Sequence, residues 1–451
     1  MEVRSDQLAA ELEAIAASGS FDGLAAVVDR VQPADFAATA RRLDEEIFVA
    51  LLKQLPEEFA ADVLADLDEE QREPILERLT PREIADAVEE MDSDDAADVV
   101  GELEEEKADE VVGLLDQQER EEIAHLLSYP EDSAGGIMQL EVVWVREHRH
   151  VARTVEKIRE IYGEVKEDFY FVYVTDREQR LVGRIPLPRL ILANPEALVS
   201  DLMEDTPRVL ADMDQEEVAQ LFQKYDVPSI PVIDRDRTLI GRITIDDIVD
   251  VITEEADEDY SRLAGTDEEE FQEPSVARKA AIRLPWLVTG LIGGVFSAVV
   301  LSRFEAALAE VIALAFFVPV IMAMGGNVAI QSSAVMVRGL ATGEINARDA
   351  VSRLVREVGV ALITGGVCAL LIFLAAWAWA GDLRLGIVVG GAMLAVILIS
   401  TFVGALVPLT LDRFRIDPAL ATGPFVTTTN DILGIVIYLS LASWVYGSFS
   451  A

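Results

Sequence analysis

Hydrophobic positions change their period twice along the chain. Leu43, Leu55, Leu67, Leu79, Met91, Leu103, Leu115 and Leu127 recur every twelve residues. The residues that follow seven of them, Asp44, Pro56, Asp68, Thr80, Asp92, Asp116 and Ser128, start helices well, as caps or as an N1 proline. Each unit therefore predicts one short helix, as over 116–127, where Glu119 stands three residues after Asp116 as a capping box requires. A helix this short cannot bury its apolar stripe alone, so the units within 1–130 are expected to stack into a small superhelix. Farther on, a longer unit occurs twice. Leu181-Val-Gly-Arg-Ile matches Leu239-Ile-Gly-Arg-Ile, Val172-Tyr-Val-Thr-Asp176 matches Ile230-Pro-Val-Ile-Asp234, and Gly136-Ile-Met138 matches Asp201-Leu-Met203. Each copy predicts a short strand, an amphipathic helix (154–162 and 216–224), a strand ending in Asp, and a Gly-led strand running into a helix. Beyond 284 polar positions thin out. Apolar runs near 285–302, 309–337, 357–380, 385–410 and 424–447 are each long enough to cross a bilayer.

Charge divides the chain in the same place. Residues 1–283 hold 29 basic and 72 acidic side chains, a net of −43 out of −44. An acidic half repels nucleic acid and attracts cations, which argues against a DNA- or RNA-binding role. For most of these carboxylates simple solvation is the default. The stretch from Thr253 is helical in composition and dense in acid, with Asp267 to Glu270 following, and turns basic at Arg278, Lys279 and Arg283. That pattern predicts a connecting helix against the inner leaflet. Placing the acidic half inside puts nine Arg or Lys, Arg348 and Arg415 among them, on the inner side and only Arg303 and Arg384 outside, which favours five spans. Met1-Glu-Val-Arg has no secretory signal pattern, so insertion is expected to use the later spans. The single cysteine, Cys368, rules out a disulfide framework or a thiolate metal site.

The candidate chemistry lies in two spans. Asp431 sits inside the last apolar run, where a carboxylate costs roughly 3 kcal/mol or more unless it faces a bundle interior or water. Thr427 and Thr428 lie one turn before it. In the second span, Gly325-Gly326 permits close backbone approach or a local break, and Asn327 and Gln331 are one turn apart on a shared face. An oxygen-rich lining suits a hard cation such as Mg²⁺, which keeps its waters and touches few carboxylates directly. Interhelical hydrogen bonding would use the same residues, so both readings stand at this point.

The repeated unit of 131–252 resembles a tandem pair of cystathionine-β-synthase (CBS) domains, which commonly regulate and often bind adenine nucleotides such as ATP. The nucleotide-holding hydroxyl and Asp are matched in the second copy by Thr244 and Asp247, whereas the first copy has Pro186 and Arg189. With the helical repeat before it, the Gly-Gly-Asn…Gln run of the second span and Asp417-Pro418…Pro424…Asp431 after it, nearly the whole chain resembles the MgtE family of magnesium channels. The resemblance implies a homodimer in the cytoplasmic membrane, its soluble half in the cytoplasm, with a pore on the two-fold axis where Asp431 of each subunit holds hydrated Mg²⁺. It also implies that cytoplasmic Mg²⁺ closes the pore by bridging acidic faces. Matching positions are Asp92 and Asp95 in the repeat, Glu216, Asp226, Asp247 and Asp250 in the CBS pair, then Glu255, Glu258, Asp259 and Asp417.

The expected architecture is an all-α superhelical domain (1–130), an α/β CBS pair (131–200 and 201–252), a connecting helix (253–283) and an all-α membrane domain of five helices (284–451). Two competing functions share those features: a secondary transporter coupling Mg²⁺ to Na⁺ or H⁺, and an adenylate-sensing scaffold that transports nothing. No inverted repeat accompanies the spans, which weighs against the first. His125, His148 and His150 come with no nucleophile motif, so an enzyme is not expected.

Overall fold

A computed structural model describes residues 2–18, 21, 23–161, 169–266, 275–342, 345, 350–414, 416–418 and 423–447. Tyr162, the end of the first predicted CBS helix, the acidic run 267–270, and Arg348 and Arg415 lie outside the described residues. The chain forms two compact units, Met1–Ile252 and Thr253–Ala451.

The first unit opens with α1 (Glu2–Ser18), α2 (Leu24–Val28) and α3 (Pro33–Ala37). The twelve-residue units follow as α4 (Glu45–Leu52), α5 (Glu57–Ala65), α6 (Glu69–Arg78), α7 (Pro81–Val88), α8 (Ser93–Gly101), α9 (Glu105–Leu114) and α10 (Gln117–Leu126). Their N-caps are Asp44, Pro56, Asp68, Thr80, Asp92, Glu104 and Asp116, twelve apart throughout. The capping box of Asp116 and Glu119 is present, and Thr80 and Glu83 form another. Leu55, Leu67, Leu79 and Leu115 are buried in one core running from Leu8 to Ile123, so each helix gains its apolar environment from its neighbours. Ser128 departs from the expectation. It closes α10 by donating to the His125 carbonyl at 2.6 Å and starts no helix, since Pro130 two residues on redirects the chain. Because the Thr80 box satisfies two orphan donors, Thr80→Ala is expected to cost about 1 kcal/mol. A lower urea midpoint with an unchanged slope would show it.

Two three-stranded sheets follow: β1 (Trp144–Arg146), β2 (Phe171–Thr175) and β3 (Leu181–Pro186), then β4 (Val209–Leu210), β5 (Ser229–Ile233) and β6 (Leu239–Thr244). In each, a parallel pair is extended by an antiparallel strand, and the registers correspond: Tyr173 pairs with Arg184 as Pro231 pairs with Arg242. The same irregularity falls at Val174/Thr175 and Val232/Ile233. Helices α11 (Val151–Ile161), α12 (Leu187–Leu192) and α13 (Gln215–Tyr225) complete the pair together with the start of α14 (Ile245–Ala264). The leading segment of each copy crosses over. Gln139 bridges Arg242 of the second sheet, and Glu204 bridges Arg184 of the first. The Gly-led strands allow this: a Cβ at Gly183 would stand 2.6 Å from the Glu204 carbonyl oxygen, and one at Gly241 2.8 Å from that of Gln139. Met138 accordingly packs with β5 and β6 residues, and Val199 with those of β2 and β3.

α14 carries no glycine or proline and runs unbroken through the acidic stretch, so the helix expected to begin at 253 is the second half of one that starts at Ile245. The second unit then contains α15 (Val276–Ser302), the short α16 (Glu305–Glu310), α17 (Ala313–Ala341), α18 (Ala350–Ala380), α19 (Leu383–Arg413) and α20 (Pro424–Tyr446). Five of these are long and apolar enough to cross a membrane. α15 and α18 begin earlier than the apolar runs alone indicate and bear Arg278, Lys279, Arg353 and Arg356 in their first two turns. α19 is the most enclosed span, flanked by α17, α18 and α20, and its residues Val388 to Ile397 form the centre of the membrane core.

Candidate functional site

Asp431 lies in the second turn of α20, about 10 Å along the axis from Pro424. It is half-buried and, among the described residues, forms no hydrogen bond or ion pair. A carboxylate in an apolar helix without a cation or donor beside it is costly, which makes Asp431 the candidate counter-charge for a cation.

The neighbouring oxygens divide between two settings. Thr427 donates its hydroxyl to the Gly423 carbonyl at 3.2 Å, and Thr428 is packed against Gly293 of α15 within the same bundle. Asn327 and Gln331 share an exposed face of α17, as their spacing predicts, and neither has a hydrogen-bond partner among the described residues. Gly325 and Ala329, by contrast, are buried on the face of α17 that meets α19 and α20. Two adjacent amides turned toward lipid would be as unfavourable as the bare carboxylate, so this face suits water or a second protein surface.

The soluble unit gathers acid at one place. A cleft of about 280 Å³ is lined by Glu58, Asp62 and Ala65 of α5, by Glu90, Met91 and Asp92 of the turn between α7 and α8, and by Asp95 of α8. Asp95, in the first turn of α8, faces Asp247, in the first turn of α14. Burial, and then the charge of Asp247, pushes the Asp95 carboxyl up to about 7. Asp247 is raised by burial, although Thr244 donates to it at 2.6 Å. Asp250 is raised by burial and by Asp246 and Asp68. Sequence reasoning counted Asp94 among the solvated acids of the outer face and so missed it as a site residue; its carboxyl is buried beside Asp247, Asp95 and Glu141 and held well above the usual range, burial being the main cause. Its Oδ1 has no hydrogen-bond partner. Asp66, raised by burial and then by Asp62 and Asp250, was missed as well.

A second group lies in the other unit, on α14 and the turn before α20. Arg262 pairs with both Glu258 and Asp417. Asp259 is raised to about 6 by burial, then by Asp417 and Glu255. Arg262 was also missed, though its i,i+4 spacing from Glu258 signals the pair. Glu216 and Asp226 stand at opposite ends of α13, roughly 15 Å apart by helical rise, and Asp226 takes a left-handed conformation (φ 49°) to end it.

These donors are all oxygen, concentrated and under-compensated, which fits a hard cation. Among the described residues no three acidic or histidine side chains converge closely enough to hold a metal ion directly.

Three family models match the chain: a divalent cation transporter model, MgtE, over residues 318–441, the MgtE intracellular N domain over 31–132, and a CBS domain over 199–254. The chain is 40% identical over 318 residues to magnesium transporter MgtE of Bacillus subtilis, covering 70% of each. It is 37% identical over 319 residues to magnesium transporter MgtE of Thermus thermophilus, again covering 70% of each. Among solved structures, it resembles the cytosolic domain of the Mg²⁺ channel MgtE in complex with ATP, with TM-score 0.51 and 34% identity over 54% of this chain and 99% of that one. It also resembles the soluble part of a magnesium transporter, with TM-score 0.52 and 29% identity over 56% of this chain and 99% of that one.

Proposed function

The chain belongs to the MgtE family, and from that premise we propose that it is a Mg²⁺ channel of the cytoplasmic membrane, closed by Mg²⁺ on its cytoplasmic side. The observation that carries the reading is Asp431: a half-buried carboxylate in a membrane helix, with no partner of its own among the described residues. Hydrated Mg²⁺ passing that point would supply the missing charge while keeping its inner water shell. Asn327 and Gln331, uncovered in one chain, support a homodimer in which the α17 faces border a wet path along the two-fold axis.

Regulation follows from the two acidic groups. In low Mg²⁺, the charge of −43 on residues 1–283 drives the soluble elements apart. Divalent ions near Asp92, Asp95, Asp247 and Asp250, and near Glu255, Glu258, Asp259 and Asp417, would offset that repulsion and favour whichever state holds them more tightly. In this proposal the compact state is the closed one, as the resemblance to the MgtE family implies. An adenine nucleotide such as ATP is a second proposed ligand of the CBS pair, supported by likeness to the ATP-bound cytosolic domain.

Uptake of Mg²⁺ into proteoliposomes, with internal Mg²⁺ varied and neither Na⁺ nor a proton gradient present, tests the reading. Uptake should persist without either co-ion and fall at least tenfold as Mg²⁺ rises on the soluble-domain side. Uptake that stops without Na⁺ or H⁺ would make the protein a coupled transporter. None at all from intact reconstituted dimer would leave the scaffold.

A further inference from the structure

The residue beside Asp431 is the more deeply buried of the two, and the ion path described above gives it no part. Asn430 is 1% exposed, wedged between α19 and α17. Its Oδ1 accepts a hydrogen bond from Ser400 Oγ of α19, itself fully buried. Its Nδ2 has no partner and lies 2.7 Å from where a Cβ at Gly325 of α17 would stand, so the amide enters α17 only because that position lacks a side chain. Two further contacts continue along the same stripe of α20, one and two turns on. Gly434 receives Met322 of α17, and Tyr438 donates its hydroxyl to the Leu314 carbonyl at 2.9 Å. Of the three, Asn430 is the one in register with the carboxylate.

Consecutive side chains on a helix point about 100° apart. Whatever fixes the direction of Asn430 therefore fixes that of Asp431. An amide in an apolar bundle has a strong directional preference, because turning it toward lipid forfeits its hydrogen bond and exposes both polar atoms. We infer that Asn430 is a positioning residue: its amide, keyed between Ser400 and Gly325, sets the rotation of α20 and with it the direction in which Asp431 presents its charge. This rests on Asp431 being the pore carboxylate.

A cysteine reporter reads that direction. Cys368 is the only native cysteine, so Cys368→Ser with Asp431→Cys places a single thiol at the position in question. In reconstituted protein with chelator on both sides, a cationic thiosulfonate should modify this thiol. Adding Asn430→Ala should slow the reaction at least tenfold, and Ser400→Ala, which leaves the amide in place, should slow it less. In chains that retain Asp431, Asn430→Ala should raise the half-saturating Mg²⁺ concentration more than it lowers maximal flux. The effects of Asn430→Ala and Ser400→Ala should be non-additive, since they act through one hydrogen bond. A reporter thiol that is modified at the same rate in all three backgrounds, with additive flux effects, overturns the inference and leaves the pore assignment standing. A thiol that never reacts from water removes the pore assignment and the inference with it.

Discussion

Asp431→Ala should lower Mg²⁺ flux about a hundredfold while leaving the protein folded and dimeric. The physical reason is that no other charged group stands beside it among the described residues. Asp431 has no ion-pair or hydrogen-bond partner among the described residues, so no neighbouring group inherits its role when it is removed. Two unit charges 4 Å apart attract by about 1 kcal/mol in water and about 4 kcal/mol at an effective dielectric of 20. A divalent ion held through one water layer falls between these limits, on the order of 3 kcal/mol, and each 1.36 kcal/mol is tenfold in rate. Asp431→Asn keeps the shape and loses the charge, so it should fail nearly as badly. Initial uptake rates in proteoliposomes, set beside size-exclusion profiles, measure both. An asparagine variant that conducts normally would mean that charge is not what this position contributes.

The second large effect is a Mg²⁺-dependent shift in the stability of the soluble unit with pH. Asp95 is raised to about 7 in the folded protein, mainly by burial and then by Asp247, and Asp94, Asp247, Asp66 and Asp250 are raised in the same direction. A carboxyl whose folded pKa exceeds its unfolded value binds a proton more tightly when folded. Its contribution is therefore complete below pH about 4 and is lost as pH rises through about 7. In chelator, the soluble unit's calorimetric midpoint should fall by about 5 °C or more between pH 5 and pH 8. Millimolar Mg²⁺ should restore it at pH 8 and do little at pH 5, where protons already neutralise the cluster. Asp95→Asn should flatten both responses. A midpoint equally sensitive to Mg²⁺ at both pH values would place the binding elsewhere.

Much of the architecture was legible because it is local. The twelve-residue leucine period located the caps at Asp44, Pro56, Asp68, Thr80, Asp92 and Asp116, since capping depends on a few adjacent residues. Ser128 has the same chemistry but precedes Pro130, and there the local rule gave way. The repeated strands predicted two similar sheets. The crossing of Gln139 to Arg242 and of Glu204 to Arg184 is a long-range pairing that a repeat alone does not reveal. At the candidate site, spacing put Asn327 and Gln331 on one face, but only packing tells that this face is uncovered. Asp94 was hidden within a run of acids, and the Asp247 that stands beside it belongs to α14, more than a hundred residues away. Asn430 carries no signal of its own in the sequence, because the glycine that admits it belongs to another helix.

Single-molecule current across a planar bilayer, with Mg²⁺ as the only permeant cation and its concentration stepped on the soluble-domain side, distinguishes a Mg²⁺-closed channel from a coupled transporter. A channel should give discrete unitary currents whose open probability falls as that Mg²⁺ rises, and which vanish in Asp431→Ala. Protein that yields no unitary current yet takes up Mg²⁺ only with Na⁺ or H⁺ would contradict the channel reading.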